Sequence, residues 1–372
     1  MENKIKILEL FAGIGACSKA FENLHIPYEI VDAVEIDKYA IKSFNAIHHT
    51  NFTPQDIREY DKNIKVDLIM HGSPCQDFSL AGRNAGGDKG SGTRSSLMYE
   101  TLRIVEKLQP KIVIWENVKN ILSQRHVHNW DQYAERMEEL GYTNYCQILN
   151  AKDYGIPQNR ERVFTISIKN YFSVEYNCDL AVDFNFPKPF PLTLKLKDFL
   201  EDEVDDKYYL DNKYENLLRI NDNYLMLAGG SIGKMHDISR RAYFTDYVSP
   251  TIPTCSGGNI QPKIAIKTAN KKGYDLGTYG DGVDLSYPNS KTRRGRVGHG
   301  VSKTLPTTNL QGCIDKTYRI RKLTPRECFR LMGFTDQDYD NAAKVCSDTQ
   351  LYKQAGNSIV VNVLEEIIKN LI

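Results

Sequence analysis

Over the first half of the chain, short apolar runs alternate with amphipathic stretches. Ile5 to Leu10 alternates, turns at Phe11-Ala-Gly13-Ile-Gly15, and leads to Ala16, Ala20, Phe21 and Leu24 at helical spacing. That is the pattern of a strand, a glycine turn and a helix. Further runs stand at Tyr28 to Val34, Val66 to His71, Lys111 to Trp115 and Val163 to Ile168. The Val66 run reads as a buried parallel strand. Together they predict an α/β protein built on a doubly wound sheet. Ligands of such sheets bind beyond the carboxyl ends of the strands. Gly13, Glu35, Asp56, Cys75 and Glu116 all stand just past such ends.

After Ile168 the pattern weakens, and Phe186-Pro-Lys-Pro-Phe-Pro191 marks a break. From there to about Arg321 the chain is rich in Gly, Thr, Ser, Asn and Tyr, which predicts a small irregular β-rich domain. It contains an echo: Arg240-Arg241 leads to Ser249-Pro-Thr-Ile-Pro-Thr254, and Arg293-Arg294 leads to Ser302-Lys-Thr-Leu-Pro-Thr307. Thr324-Pro-Arg-Glu327 is a capping box that opens a helix reaching Met332 and stopping at Gly333. The chain closes with Asn357-Ser-Ile-Val-Val and an apolar helix to Leu371. The expected division is 1–185 with 340–372 as a discontinuous first domain, and 186–339 as the second.

Composition changes this picture little. The chain has 372 residues, 41% hydrophobic and 26% charged, as a globular enzyme does. No stretch approaches the roughly 18 apolar residues of a membrane span, and the start runs straight into a strand, so a cytoplasmic protein is expected. Eight scattered cysteines without a Cys-x-x-Cys pair suggest neither zinc nor disulfides. Cys75 is then available as a reduced thiol. A net charge of +1 leaves nucleic-acid binding open, because a locally basic face needs no basic total.

The candidate chemistry gathers at one sheet edge. Cys75 follows the Val66 run, Glu116 follows the Lys111 run, and Arg160 and Arg162 precede the Val163 run. Alone, each has a plain structural reading: a small buried thiol, a helix cap, a surface ion pair. The first turn has Ser18 where a dinucleotide fingerprint needs its third glycine, so a nucleoside without phosphates fits better. Glu35, about twenty residues on, has the spacing of an acid that accepts from ribose hydroxyls. Asp56 is placed to hold an adenine amino group.

Phe11-Ala-Gly13-Ile-Gly15, Pro74-Cys75-Gln76, Glu116-Asn-Val118, Gln158-Asn-Arg160-Glu-Arg162 and Gln354-Ala-Gly-Asn357-Ser, in this order, resemble the motif series of the DNA (cytosine-5) methyltransferases. The resemblance spans almost the whole chain. It implies a Rossmann-like methyltransferase sheet with helices on both faces and a smaller irregular β-rich target-recognition domain. S-adenosylmethionine is the implied methyl donor and double-stranded DNA the implied partner. An enzyme of the bacterial or phage type that accompanies or evades restriction is expected, acting as a monomer without contact to any cognate endonuclease.

By match, Cys75 is the nucleophile, Glu116 and Arg162 hold the target base, and Arg160 stands with them. Phe11, Gly13, Ile14, Gly15, Glu35, Ile36, Asp56, Ile57, Gly72, Pro74, Leu97, Asn357 and Ile359 are expected around the cofactor. Gln76, Ser79, Arg83, Arg94, Arg240, Arg241, Arg293, Arg294 and Arg296 are the expected DNA contacts, the segment Arg293-Arg-Gly-Arg296 for the closest backbone approach. Ser73 stands where the family commonly has Pro or Phe, and Ala16 where Gly is frequent.

The implied reaction begins with addition of a thiolate to C6 of cytosine. A protonated Glu116 donates to N3 and Arg162 meets O2, where negative charge develops. The target must be flipped out of the duplex, and the glycine-rich stretch from Leu80 to Arg94 has the composition of a lid. Two other readings share these motifs. A tRNA methyltransferase would carry the Cys-Phe-Thr signature of that branch, which is absent. A silent DNA-binding regulator would not need Cys75, Glu116 and Arg162 together.

Overall fold

The computed structural model describes residues 4–74, 94–173, 178–180, 182–209, 264–308, 310–316 and 320–372. The expected sheet is present. Strands β1 (Ile5–Leu10), β2 (Tyr28–Val34), β3 (Leu68–His71) and β4 (Ile112–Val118) run parallel. Of the following strands, β5 (Tyr142–Asn150), β6 (Gln158–Asn159) and β7 (Glu161–Lys169), β7 lies between β4 and β5, antiparallel to both. The sheet order is β2-β1-β3-β4-β7-β5.

Alternation along each strand sends neighbouring residues to opposite faces. Ile7, Leu68, Met70, Ile114 and Ile166 share one apolar cluster with Ala20 and Phe21 of α1 (Ala16–Asn23) and with Leu364 and Ile368 near the carboxyl terminus. Leu8, Leu10, Ile69, Val113 and Val163 face the other way. They meet α3 (Met98–Leu108) and α4 (Val127–Glu139) through Val105, Tyr133 and Met137. Helix α2 (Lys38–His48) packs Ile41 and Phe44 against Ala33 of β2. The sheet is thus covered on both faces.

Smaller sheets follow. Strand β8 (Tyr171–Ser173) pairs antiparallel with β9 (Cys178–Leu180), a hairpin joins β10 (Ile264–Lys267) to β11 (Tyr274–Gly277), and the order β13-β12-β15-β16 links Val297–Gly298, Gly282–Asp284, Gln311–Ile314 and Ile320–Lys322. Strand β14 (Ser302–Lys303) pairs instead with β6, in parallel. The second copy of the echo, Ser302 to Thr307, therefore docks on the Gln158–Arg160 segment. Thr304 Oγ1 donates to Asn159 O at 3.0 Å, and Leu305 N to Gln158 Oε1 at 3.1 Å.

The capping box is formed at α5 (Pro325–Arg330), with Thr324 as its cap. The helix ends two residues before Met332, and Gly333 closes the turn at φ +84°. Helices α6 (Asp336–Ala343), α7 (Asp348–Asn357) and α8 (Val361–Leu371) complete the chain, and α8 lies against α1. Leu305, Leu323, Phe329, Leu331 and Met332 belong to the same apolar cluster as α8, and Val361 N donates to Met332 O at 2.9 Å. The apolar core that holds α8 thus includes residues from 323 to 334.

One buried acid gives a stability prediction. Glu9, next to the last residue of β1, accepts from Ser18 N at 3.0 Å and from the Ser18 hydroxyl, and burial pushes its carboxyl up to about 7. Between its ordinary value and 7 the unfolded chain loses a proton that the folded chain keeps. The stabilisation is thus complete below pH 4.5 and is lost as pH rises to 7. Urea unfolding at pH 5 and pH 8 is expected to show wild type losing on the order of 2–3 kcal/mol more than Glu9→Gln. Equal losses in the two proteins would refute this.

Candidate active site

The glycine turn after β1 is built by local strain and one helix contact. Phe11 takes φ +53°, Gly13 +57° and Gly15 +82°. A Cβ on Gly13 would meet nothing within 4 Å, so this backbone faces open space, whereas one on Gly15 would strike the His48 ring. His48 Nε2 bonds Ile14 O at 3.1 Å, and burial pulls its pKa down to about 4, so near neutrality Nε2–H is the donor.

Glu35 follows β2 and binds the turn. Its Oε2 accepts from Gly13 N at 3.0 Å and its Oε1 from Asp37 N at 2.8 Å. Each oxygen keeps a lone pair for a further donor. Burial nevertheless raises the Glu35 pKa. Asp37 caps α2 through Tyr39 N and pairs with Lys353 Nζ at 2.6 Å, which together hold its pKa below the ordinary range. Asp56 caps a short turn and forks with Arg58.

A cavity of about 690 Å³ brings these groups together. Phe11, Gly13, Glu35, Ile36, Asp56, Ile57, Gly72, Pro74, Leu97 and Asn357 line it, and Glu116, Arg160 and Arg162 stand on the same wall system. Three expected cofactor residues stand elsewhere. Ile14 is buried in the core beneath the turn, Gly15 is packed against His48, and Ile359 lines a smaller adjoining cavity. The periodicity of a turn cannot distinguish the backbone that faces a ligand from the backbone that faces a helix.

The sequence also left Asp37, Gln55, Arg58 and Lys353 unmarked, though they line the cavity. Asp37 could have been found as the residue before an amphipathic helix. Lys353 comes from α7, which folds back some 300 positions later in the chain, and carries no local signal.

Glu116 and Arg162 pair on the wall of this cavity. Glu116 lies within β4, not past its end, because β7 prolongs the ladder to Val118 opposite Arg162. Glu116 pairs across with Phe164, so Arg162, two residues along β7, is its diagonal neighbour on the same face. Arg162 Nε stands 3.0 Å from Glu116 Oε1, and Arg162 Nη1 donates to Glu161 O at 2.8 Å. Burial raises the Glu116 pKa, and the guanidinium groups of Arg162 and Arg160 only partly offset it. A Cβ on Gly72 would stand 3.7 Å from Glu116 Oε2 and 3.5 Å from Ile359, so glycine leaves room beside the acid.

Two arginines make structural contacts that the sequence does not announce. Arg160 is buried and spans the fold: Nη2 donates to Gly356 O at 3.1 Å and Ser358 O at 2.8 Å, and Nη1 to Leu305 O at 3.4 Å. It ties the end of α7 and the echo segment to β7. Arg296, expected at the DNA backbone, is only 1% exposed and donates to the carbonyls of Asp284, Ser286 and Tyr287. Its charge serves a loop interior, so it is unavailable to phosphates. Arg293 forks onto Asp284, with Nε 2.8 Å from Oδ2, and Arg294 is exposed. Cys75, Gln76, Ser79, Arg83, Arg240 and Arg241 lie outside the described residues, as do the side chain of Arg94 and the lid up to it.

An acid–guanidinium pair and a carboxylate-lined cavity thus share one sheet edge. Residues 5–372 match the family model for C-5 cytosine-specific DNA methylase. The chain belongs to this family. The methylase is 33% identical to the orphan methyltransferase M.SPRI of Bacillus phage SPR, over 99% of this chain and 98% of that protein. It is 33% identical to the type II methyltransferase M2.ScrFI of Lactococcus lactis subsp. cremoris, over 99% of each. Type II methyltransferase M.HhaI of Haemophilus parahaemolyticus is 31% identical, over 99% and 94%.

Among solved structures, a putative DNA modification methyltransferase encoded within an E. coli prophage shares its fold, with TM-score 0.60 and 21% identity over 99% and 98% of the two chains. A Spodoptera frugiperda DNMT2 mutant does so at TM-score 0.61 and 19% identity, over 99% of each. The protein is a DNA cytosine-5 methyltransferase, an enzyme that draws on a methyl donor. Among the described residues no helix is long and apolar enough to cross a membrane.

Proposed function

We propose that the methylase uses S-adenosylmethionine to methylate C5 of a cytosine flipped out of duplex DNA, within one short sequence context. The observation that carries this reading is the Glu116–Arg162 pair, its acid buried, on the wall of the same cavity that Glu35 lines. The cavity residues fit the donor. Glu35 has lone pairs left for a ribose diol, and Phe11, Ile36 and Leu97 offer apolar surface to an adenine. When bound, S-adenosylmethionine supplies an electrophilic methyl group.

The chain's own groups do the rest. Cys75, next in sequence to the cavity residue Pro74, adds as a thiolate to C6. Glu116, whose pKa burial raises, donates in its protonated form to N3 while its other oxygen accepts from the exocyclic amine, and Arg162 neutralises charge at O2. After transfer, C5 gives its proton to a base and the Cys75 thiolate leaves C6. Residues 1–185 with 340–372 carry this chemistry, and 186–339 read the DNA, with exposed Arg294 among the contacts. The enzyme works as a cytoplasmic monomer.

Bisulfite sequencing of mixed-sequence duplex DNA incubated with the protein and S-adenosylmethionine tests the reading, beside a Cys75→Ser control. Protected cytosines in one context, absent from the control, are expected. Complete conversion in both samples would sink it.

A further inference from the structure

The β3–β4 backbone ladder ends where His71 pairs with Trp115. Beyond that rung, side chains take over. Trp115 Nε1 donates to Ser73 Oγ at 3.0 Å, and Asn117 Nδ2 donates to the same oxygen at 3.2 Å. Strand alternation explains the convergence: Trp115 and Asn117 point to one face of β4 while Glu116, between them, points to the other. All three tether residues are buried. The indole is itself held, stacked on His71 with centroids 5.7 Å apart and packed on Tyr133 at 4.3 Å. His71 Nε2 and the Tyr133 hydroxyl, 3.0 Å apart, close the group.

We infer that Ser73 is a positioning residue for methyl transfer, because its hydroxyl pins the segment that leads through Pro74 to Cys75 against the strand that carries Glu116. The inference rests on the reaction proposed above. A hydroxyl oxygen has two lone pairs, and the indole and amide donors fill both. Ser73 thereby extends the spacing of the sheet two residues past its last backbone rung. Neither Pro nor Phe, common at this place in the family, has an oxygen to do this. Small misplacements between reacting groups are costly, up to about a hundredfold in rate per ångström.

The test compares wild type with Ser73→Ala and with Trp115→Phe, which deletes one donor while keeping a ring in the stack. Ser73→Ala is expected to slow single-turnover methyl transfer roughly ten- to a hundredfold. Dissociation constants for S-adenosylmethionine and for DNA should stay within about twofold, and Ser73→Thr, which keeps the oxygen, should recover most of the rate. Amide exchange in a peptide covering residues 70–76 should quicken about tenfold in Ser73→Ala and in Trp115→Phe, with β1 unchanged. An unchanged rate, a slowing matched by weaker binding, or unchanged exchange would each overturn the inference. A wild type that transfers no methyl group would count against the proposed reaction, while the exchange comparison would still decide whether the tether exists.

Discussion

Replacing Glu116 by Gln is expected to lower the single-turnover rate of methyl transfer by about 10²–10³-fold with little change in DNA affinity. Gln fills the same space, and its oxygen can still accept from Arg162 Nε, which stands 3.0 Å from the native carboxylate. Its amide then faces N3 but is a far weaker acid, and no oxygen remains for the exocyclic amine of cytosine. Charge that builds on the ring during thiolate addition loses its proton donor, so the defect falls on the chemical step.

The pH profile gives the sign. Burial raises the Glu116 pKa, so the protonated form persists upward in pH and is lost as pH rises through that value, giving the rate an alkaline limb. The acid limb belongs to the thiol, which must ionise. In Glu116→Gln the alkaline limb should vanish. A variant that keeps both the wild-type rate and the alkaline limb would remove Glu116 from the mechanism.

Glu327→Ala is expected to destabilise the fold by about 3–5 kcal/mol in urea unfolding. Glu327 is fully buried and takes four donors. Arg321 reaches it with both terminal nitrogens, at 2.6 and 2.8 Å, and the backbone N–H groups of Thr324 and Glu201 donate to it at 2.8 Å each. Removing the carboxylate strands an arginine in the interior and frees two backbone donors. A pair of changes, Arg321→Met with Glu327→Gln, removes both charges and keeps an acceptor. It should be less destabilising than Glu327→Ala by at least about 1 kcal/mol. If the double variant is the less stable, the cost lies in packing and not in the uncompensated charge.

Glu327 also illustrates where sequence reading succeeds. Thr324-Pro-Arg-Glu327 announces a capped helix because the cap, the proline and the acid act within one turn, and the box forms as written. It says nothing of Arg321 or Glu201. The strand, glycine turn and helix of the first 24 residues are legible for the same reason, as is Glu35 by its distance from the turn. Short-range sterics, alternation and backbone capping determine these features wherever the chain folds.

Other placements had to wait for the tertiary structure. Arg160 and Arg162 share one motif, yet strand alternation and packing send Arg162 to Glu116 and Arg160 to the carbonyls of Leu305, Gly356 and Ser358. Arg296 reads as a DNA contact by its basic, glycine-rich surroundings and is buried because three carbonyls of its own loop need a donor. Lys353 and Asn357 reach the cavity only because α8 packs on α1 and carries α7 back to the sheet. The sequence by itself determined the motifs, their order and the local elements that bear them, since those depend on neighbours a few residues away. The tertiary structure alone decided which charges meet, because partners separated by tens to hundreds of residues are chosen by packing and by the cost of burying an unpaired polar group.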